Sequence, residues 1–112
     1  MREKLLLCCL MLLLATASGA DFEAGFAAYS RGDYETALAE WQPLAEQGDA
    51  SSQFGLGLLY ANGFGVAMDD AQALKWYGLA ADQGHAEAQY NLGVMYQNGW
   101  GVEQSDADTV KW

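Results

Sequence analysis

Residues 50–76 read ASSQFGLGLLYANGFGVAMDDAQALKW, and residues 86–112 read AEAQYNLGVMYQNGWGVEQSDADTVKW. The second stretch is the first moved 36 residues along the chain. Of 27 paired positions 13 are identical, among them Gln53/Gln89, Leu56/Leu92, Gly57/Gly93, Tyr60/Tyr96, Asn62/Asn98, Gly63/Gly99 and Gly65/Gly101. Most other pairs are conservative, as in Phe54/Tyr90, Phe64/Trp100 and Leu74/Val110. A fixed period in the mid-thirties marks stacked supersecondary units, each too small to bury its apolar side alone, and argues against one irregular core.

Each unit reads as two helices. From Ala50 to Ala61, the residues Phe54, Gly57, Leu58 and Tyr60 recur at three- and four-residue spacings and form one helical stripe. Asn62-Gly63 stops that helix, because glycine can take the left-handed conformation that closes a helix end. A loop through Val66 leads to Asp69-Asp70, where either carboxylate can cap the next helix, about Ala71 to Asp82. That helix turns Ala73, Leu74, Trp76, Tyr77 and Ala80-Ala81 towards its neighbours, and Gln83-Gly84 ends it. The connections are short, so consecutive helices lie antiparallel. Gly57 and Gly93 fall inside helices, where glycine costs about 1 kcal/mol relative to alanine. Its recurrence at equivalent positions predicts a close approach by the partner helix of the same unit.

The segment before Ala50 is a variant of the same unit. Ala24 to Ser30 is a short apolar helix, Arg31-Gly32-Asp33 turns, and Tyr34 starts a second helix. Ala37, Leu38, Gln47, Gly48 and Ala50 stand 36 residues before Ala73, Leu74, Gln83, Gly84 and Ala86, which sets the register. The glycine-rich loop is missing here, and Pro43 predicts a kink near Trp41. Terminal units of repeat arrays are commonly atypical because they act as caps.

The first twenty residues follow another logic. Met1-Arg2-Glu3-Lys4 is a short basic start, Leu5 to Leu14 is an unbroken apolar run, and Ala15 to Ala20 are small or hydroxylated. This is the three-part pattern of a secretory signal peptide, cleaved after Ala20 ahead of Ala17. The apolar run falls short of the roughly 20 residues a membrane-spanning helix needs. Export to the periplasm or the medium is therefore expected, with no stable membrane insertion after cleavage. Both cysteines, Cys8 and Cys9, leave with the leader, so the mature chain has no disulfide and no thiol nucleophile. Arg2, Lys4 and Glu3 leave too, and three bases (Arg31, Lys75, Lys111) then face fourteen acids. The intact chain already carries a formal charge of −10, which disfavours phosphate backbones and anionic lipid as partners.

The runs Leu92-Gly93-Val94-Met95-Tyr96, Gly99-Trp100-Gly101-Val102, Ala73-Leu74-Lys75-Trp76-Tyr77 and Ala80-Ala81-Asp82-Gln83-Gly84 resemble Sel1-like repeats. These are relatives of tetratricopeptide repeats with a longer, glycine-rich inter-helix loop. The opening unit, with Tyr29, Gly32-Asp33-Tyr34 and Ala37-Leu38, is closer to an ordinary tetratricopeptide repeat. The resemblance implies an all-α solenoid of antiparallel helical hairpins, about two and a half repeats long. Its expected parts are a signal peptide (1–20), an atypical first repeat (21–49), a full Sel1-like repeat (50–85) and one truncated in its second helix (86–112). Some exported members of the family are cysteine-rich and carry penicillin-binding or β-lactamase labels. The mature chain has no cysteine, so that activity is not transferred. The last unit stops at Trp112, the counterpart of Trp76. The expectation is a fragment of a longer array, then an end covered by another chain through self-association, then a frayed end.

Little in the chain points to catalysis. His85, the sole histidine, lies at a repeat boundary where the preceding unit has Asp49, so a polar turn residue explains it. Asp69-Asp70 and Asp106-Ala107-Asp108 lack the further ligands and the glycine of a calcium loop, and helix capping explains them. No cofactor or metal is expected. What remains is binding of a protein or peptide on the side lined by each unit's first helix. Tetratricopeptide-like mapping aligns Phe54, Leu58 and Ala61 of one unit with Tyr90, Val94 and Gln97 of the next, with Asn62 and Asn98 at the end of the same stripe. Aromatic residues at such spacing also serve as ordinary core. Phe64 and Trp100, each between two glycines, form a second candidate surface, either tucked onto a neighbouring helix or left outside as contacts. The expected function is thus a non-enzymatic adaptor or scaffold. The alternatives are a cell-envelope enzyme acting on peptidoglycan or a β-lactam, or a repeat fragment without a function of its own.

Overall fold

The computed structural model describes residues 19–101, which form five α-helices and no strand. They are α1 (Phe22–Ser30), α2 (Tyr34–Glu46), α3 (Ala50–Asn62), α4 (Asp70–Asp82) and α5 (Ala86–Asn98). The segment up to residue 18 expected to be a signal peptide, the Asp106-Ala107-Asp108 cluster and the segment up to Trp112 expected to be a truncated second helix lie outside the described residues.

Every helix starts on a side-chain cap. Asp21, Asp33, Asp49 and Asp69 accept backbone N–H groups near the starts of α1 to α4, at 2.9, 3.3, 2.9 and 3.1 Å. His85 does the same for α5, its Nδ1 accepting from the Ala88 amide at 3.1 Å. Each cap satisfies a donor that would otherwise lack a partner at a helix start. At the other end, Gly63 (φ 68°) and Gly99 (φ 71°) close α3 and α5 in the left-handed conformation, as the 36-residue spacing requires. The helices begin slightly earlier than the sequence pattern indicates: α1 at Phe22 and α4 at Asp70, because Asp21 and Asp69 are the caps.

Pro43 lies inside α2, which nonetheless runs through to Glu46. Proline removes only the N–H that would meet the Ala39 carbonyl, and Ala39 faces solvent, where water can serve that oxygen. The proline at which a kink is expected is therefore accommodated within one continuous helix.

Consecutive helices pack on one another, so α1, α3 and α5 form one layer and α2 and α4 the layer behind. Two continuous core clusters result, one around Trp41, Leu56 and Leu59, the other around Tyr77, Leu92 and Met95. Glycine sets the spacing between layers. A Cβ on Gly57 would overlap the Tyr77 ring of α4, the close approach within one unit expected there; Gly93 meets nothing within 4 Å among the described residues, and the segment expected to approach it lies outside them. Trp41 of α2 does the same twice, filling the space above Gly25 of α1 and Gly55 of α3. Glutamines staple successive units. Buried Gln53 donates to the Ala45 carbonyl at 3.1 Å, and Gln89, one period later, donates to the Ala81 carbonyl at 3.1 Å.

Candidate peptide-binding face

The layer of α1, α3 and α5 carries the first-helix residues singled out above. Phe54 is half-buried, with its ring stacked on His85 (centroids 4.7 Å apart) and tilted against Tyr77. Tyr90, one period on, stands 73% exposed on the same face. Leu58 and Val94 are half-buried and line the same depression. Asn62 and Asn98 are exposed at the helix ends, where each Nδ2 donates to a carbonyl one turn back, Leu58 at 2.9 Å and Val94 at 2.8 Å. One amide hydrogen of each is thus committed to the helix.

The stripe continues into the first unit, at positions that ungapped spacing does not reveal. Gly25 stands to Trp41 as Gly57 stands to Tyr77, and these glycines are 32 residues apart where the aromatic pair is 36 apart. The first unit is therefore short by four residues between its helices. Its α1 residues Phe22, Phe26 and Ser30 correspond to Phe54, Leu58 and Asn62. The hydrogen bonds agree, since Ser30 Oγ donates back to the Phe26 carbonyl at 2.9 Å just as Asn62 does to Leu58. Phe26 is 54% exposed. With the four-residue gap the stripe is Phe22/Phe54/Tyr90 and Phe26/Leu58/Val94. A search for the 36-residue period alone misses Phe22 and Phe26.

Besides a depression of about 390 Å³ lined by Phe54, Glu87 and Tyr90, two others lie along this layer. One, of about 360 Å³, runs between α1 and α3 to the start of α5 and is lined by Phe22, Phe26, Phe54 and Leu58, with Glu23 and Glu87 at its edge. The other, of about 480 Å³, lies between α3, α4 and α5 and is lined by Leu58, Met68, Asp70, Tyr77, Val94 and Trp100. Among the described residues neither is lined by Lys or Arg, and His85 lines the smaller one. The two bases among the described residues are elsewhere: Arg31 pairs with Asp33 at 3.5 Å in solvent, and Lys75 lies over the Trp76 ring at 4.5 Å.

The two glycine-flanked rings have different settings. Phe64 is half-buried, stacked on Tyr34 (4.4 Å, interplanar 9°) and beside Tyr29, so it is part of the packing. Trp100 is 51% exposed and forms one wall of the larger depression. His85 is engaged as a helix cap and an aromatic stacking partner. Among the described residues no three His, Cys, Asp or Glu side chains come together in a metal-binding cluster. Among them also, no helix is long and apolar enough to cross a membrane.

Comparison with known proteins adds to this geometry. The Sel1 repeat family model matches residues 50–85 and 86–112. An exopolysaccharide production negative regulator of Rhizobium leguminosarum bv. viciae is 41% identical over 56 residues, which are 50% of this chain and 21% of that protein. A regulator of the same name from Rhizobium meliloti (strain 1021) is 40% identical over the same shares. A crystal structure of a Sel1 repeat protein from Oxalobacter formigenes superposes with a TM-score of 0.78 at 35% identity, covering 82% of this chain and 38% of that one. The chain thus matches only a minor part of the length of each of these proteins.

Proposed function

This chain belongs to the Sel1 repeat family, and on that premise we propose that it is an exported, non-enzymatic repeat module that holds an extended segment of a partner protein along the α1–α3–α5 face. The observation that carries this reading is the alignment of Phe22, Phe54 and Tyr90, with Phe26, Leu58 and Val94 beside them, in one line across three successive first helices. A fold that needed these rings only as core would bury them. Here Phe26 and Tyr90 stand more than half exposed beside open depressions. Exposed apolar surface of this kind, rimmed by polar groups, is where soluble proteins meet partners. Repeat ribbons present such surfaces along their length. The regulatory names of the rhizobial relatives fit a role exerted through contact. Export rests on the basic start, apolar run and small residues of the first twenty positions.

Affinity capture from the periplasmic or secreted fraction, with the Phe54→Ser, Tyr90→Ser double variant as control, tests the face. The expected result is a partner retained by the wild-type protein and lost by the variant. Equal retention by both would remove the face from consideration.

A further inference from the structure

The two junctions between successive units should be alike, and comparing them position by position shows where they differ. At the first, the loop glycine Gly65 sits against the Tyr34 backbone, and at the second Gly101 sits against the Asp70 backbone, so the two loops follow the same course as far as these glycines. Phe64 and Trp100 are therefore equivalent, and so are Tyr34 and Asp70. The first junction is plugged by aromatic rings: Tyr34 lies flat on Phe64, with Tyr29 edged against both. At the second, the counterpart of Tyr29 is Ala61 and that of Tyr34 is Asp70. Two rings are gone, and the depression of about 480 Å³ is the space they leave.

What would fill that space is constrained on three sides. Trp100 offers a large aromatic face, 51% exposed, where its counterpart has a flat ring stacked on it. Asp70 stands in the lining, and among the described residues nothing donates a hydrogen bond to its carboxylate, whereas the adjacent Asp69 is occupied as the α4 cap. The remaining walls are largely apolar or thioether, from Leu58, Ala61, Met68, Val94 and Met95, with Tyr77 and the amides of Asn62 and Asn91 completing the lining. The occupant is then a flat group that stacks, carries positive charge, and hangs on an apolar stem. We propose that the depression between α3, α4 and α5 receives an arginine side chain of the bound partner segment, its guanidinium stacked on Trp100 and paired with Asp70. A guanidinium is planar, stacks on aromatic faces and pairs with a carboxylate through two parallel N–H donors. The acidic surface, with no Lys or Arg among the described residues lining either depression, favours the same choice of partner.

This inference rests on the reading of the α1–α3–α5 face as a binding surface, and the test separates the two. The probes are acetyl-Ala-Leu-Arg-Leu-Ala-amide and the same peptide with citrulline, which keeps the planar shape and loses the charge. Calorimetric titration of the purified protein should give binding of the arginine peptide about tenfold tighter than its citrulline twin, the scale of a charge-assisted pair. Asp70→Asn, which leaves the Asp69 cap in place, should bring the two peptides to parity. Ala61→Tyr, which restores the bulk of Tyr29, should abolish binding of both. Equal affinity of the two peptides for the wild-type protein, or no binding of either, overturns the proposal. So does a preference that survives Asp70→Asn. A natural partner captured by wild type, lost with Phe54→Ser, Tyr90→Ser and retained by Asp70→Asn would leave the face standing and remove the arginine pocket.

Discussion

Trp41 lies between two glycines on different helices, and its ring occupies the volume that a Cβ on either Gly25 or Gly55 would need. The same trade holds at Gly57, where the neighbour is the Tyr77 ring, itself held against Phe54 and sealed in the second core cluster. Helix propensity alone says that Gly57→Ala should stabilise α3 by about 1 kcal/mol. Packing says the opposite, because a ring so enclosed cannot swing aside, and overpacking of this kind costs about 1–3 kcal/mol. The second effect is the larger, so Gly57→Ala is expected to destabilise the protein by about 1 kcal/mol net. Gly78 in α4 provides the internal contrast, since a Cβ there meets nothing within 4 Å. Gly78→Ala should gain about 0.5–1 kcal/mol. Urea unfolding of the two variants beside wild type reads both signs at once, and a Gly57→Ala protein more stable than wild type would refute the close-approach account.

At the scale of elements, α4 is the helix the others depend on, because Tyr77 wedges it between Gly57 of α3 and Asn91 of α5. Burial pushes the Tyr77 hydroxyl up to about 12 from an ordinary 10.0, with a hydrogen bond from Asn91 offsetting part of the rise. The folded state therefore holds this proton more tightly than the unfolded chain does. The stability it contributes is whole below pH 10 and is lost as pH climbs from 10 towards 12, at up to about 1.4 kcal/mol per pH unit. Tyr29, raised by burial and by Tyr34 beside it, adds a slope of the same sign. Chemical denaturation across that alkaline range should show the decline, and Tyr77→Phe should flatten most of it; an unchanged slope in the variant would place the titrating group elsewhere. The start of α5 and the ends of α3 and α4 were legible in the sequence because glycine, asparagine and capping residues recur there 36 positions apart. The register of α1 was not, because a loop four residues shorter hides Phe22 and Phe26 from any ungapped comparison. The larger depression was hidden for a related reason. It is made of what Ala61 and Asp70 lack relative to Tyr29 and Tyr34; the second pair falls on the 36-residue period, but the first appears only once the shifted register is known.

For the molecule as a whole, charge acts on folding and on binding with opposite signs. The chain carries −10 with only five bases, and the single ion pair among the described residues, Arg31–Asp33, is solvent-exposed and 3.5 Å long. Such a pair contributes little, so like-charge repulsion spread over the repeats is the main long-range electrostatic effect, and it opposes the compact state. Raising salt from about 10 mM to about 150 mM shortens the screening length from roughly 30 to 8 Å. Thermal unfolding followed by circular dichroism should therefore move upward by a few degrees over that range, given that about 1 kcal/mol shifts a small domain by roughly 4–8 °C. Binding of a cationic segment responds in the other direction. The attraction that draws an arginine-bearing peptide to the Asp70 side of the α1–α3–α5 face is screened by the same ions, so affinity should fall while the melting temperature rises. A hydrophobic association alone would not weaken with sodium chloride, and a folded state held by ion pairs would not gain stability from it. The two measurements on one salt series thus distinguish an acidic module that is stable because its units pack, and selective because of its charge, from one in which charge does neither.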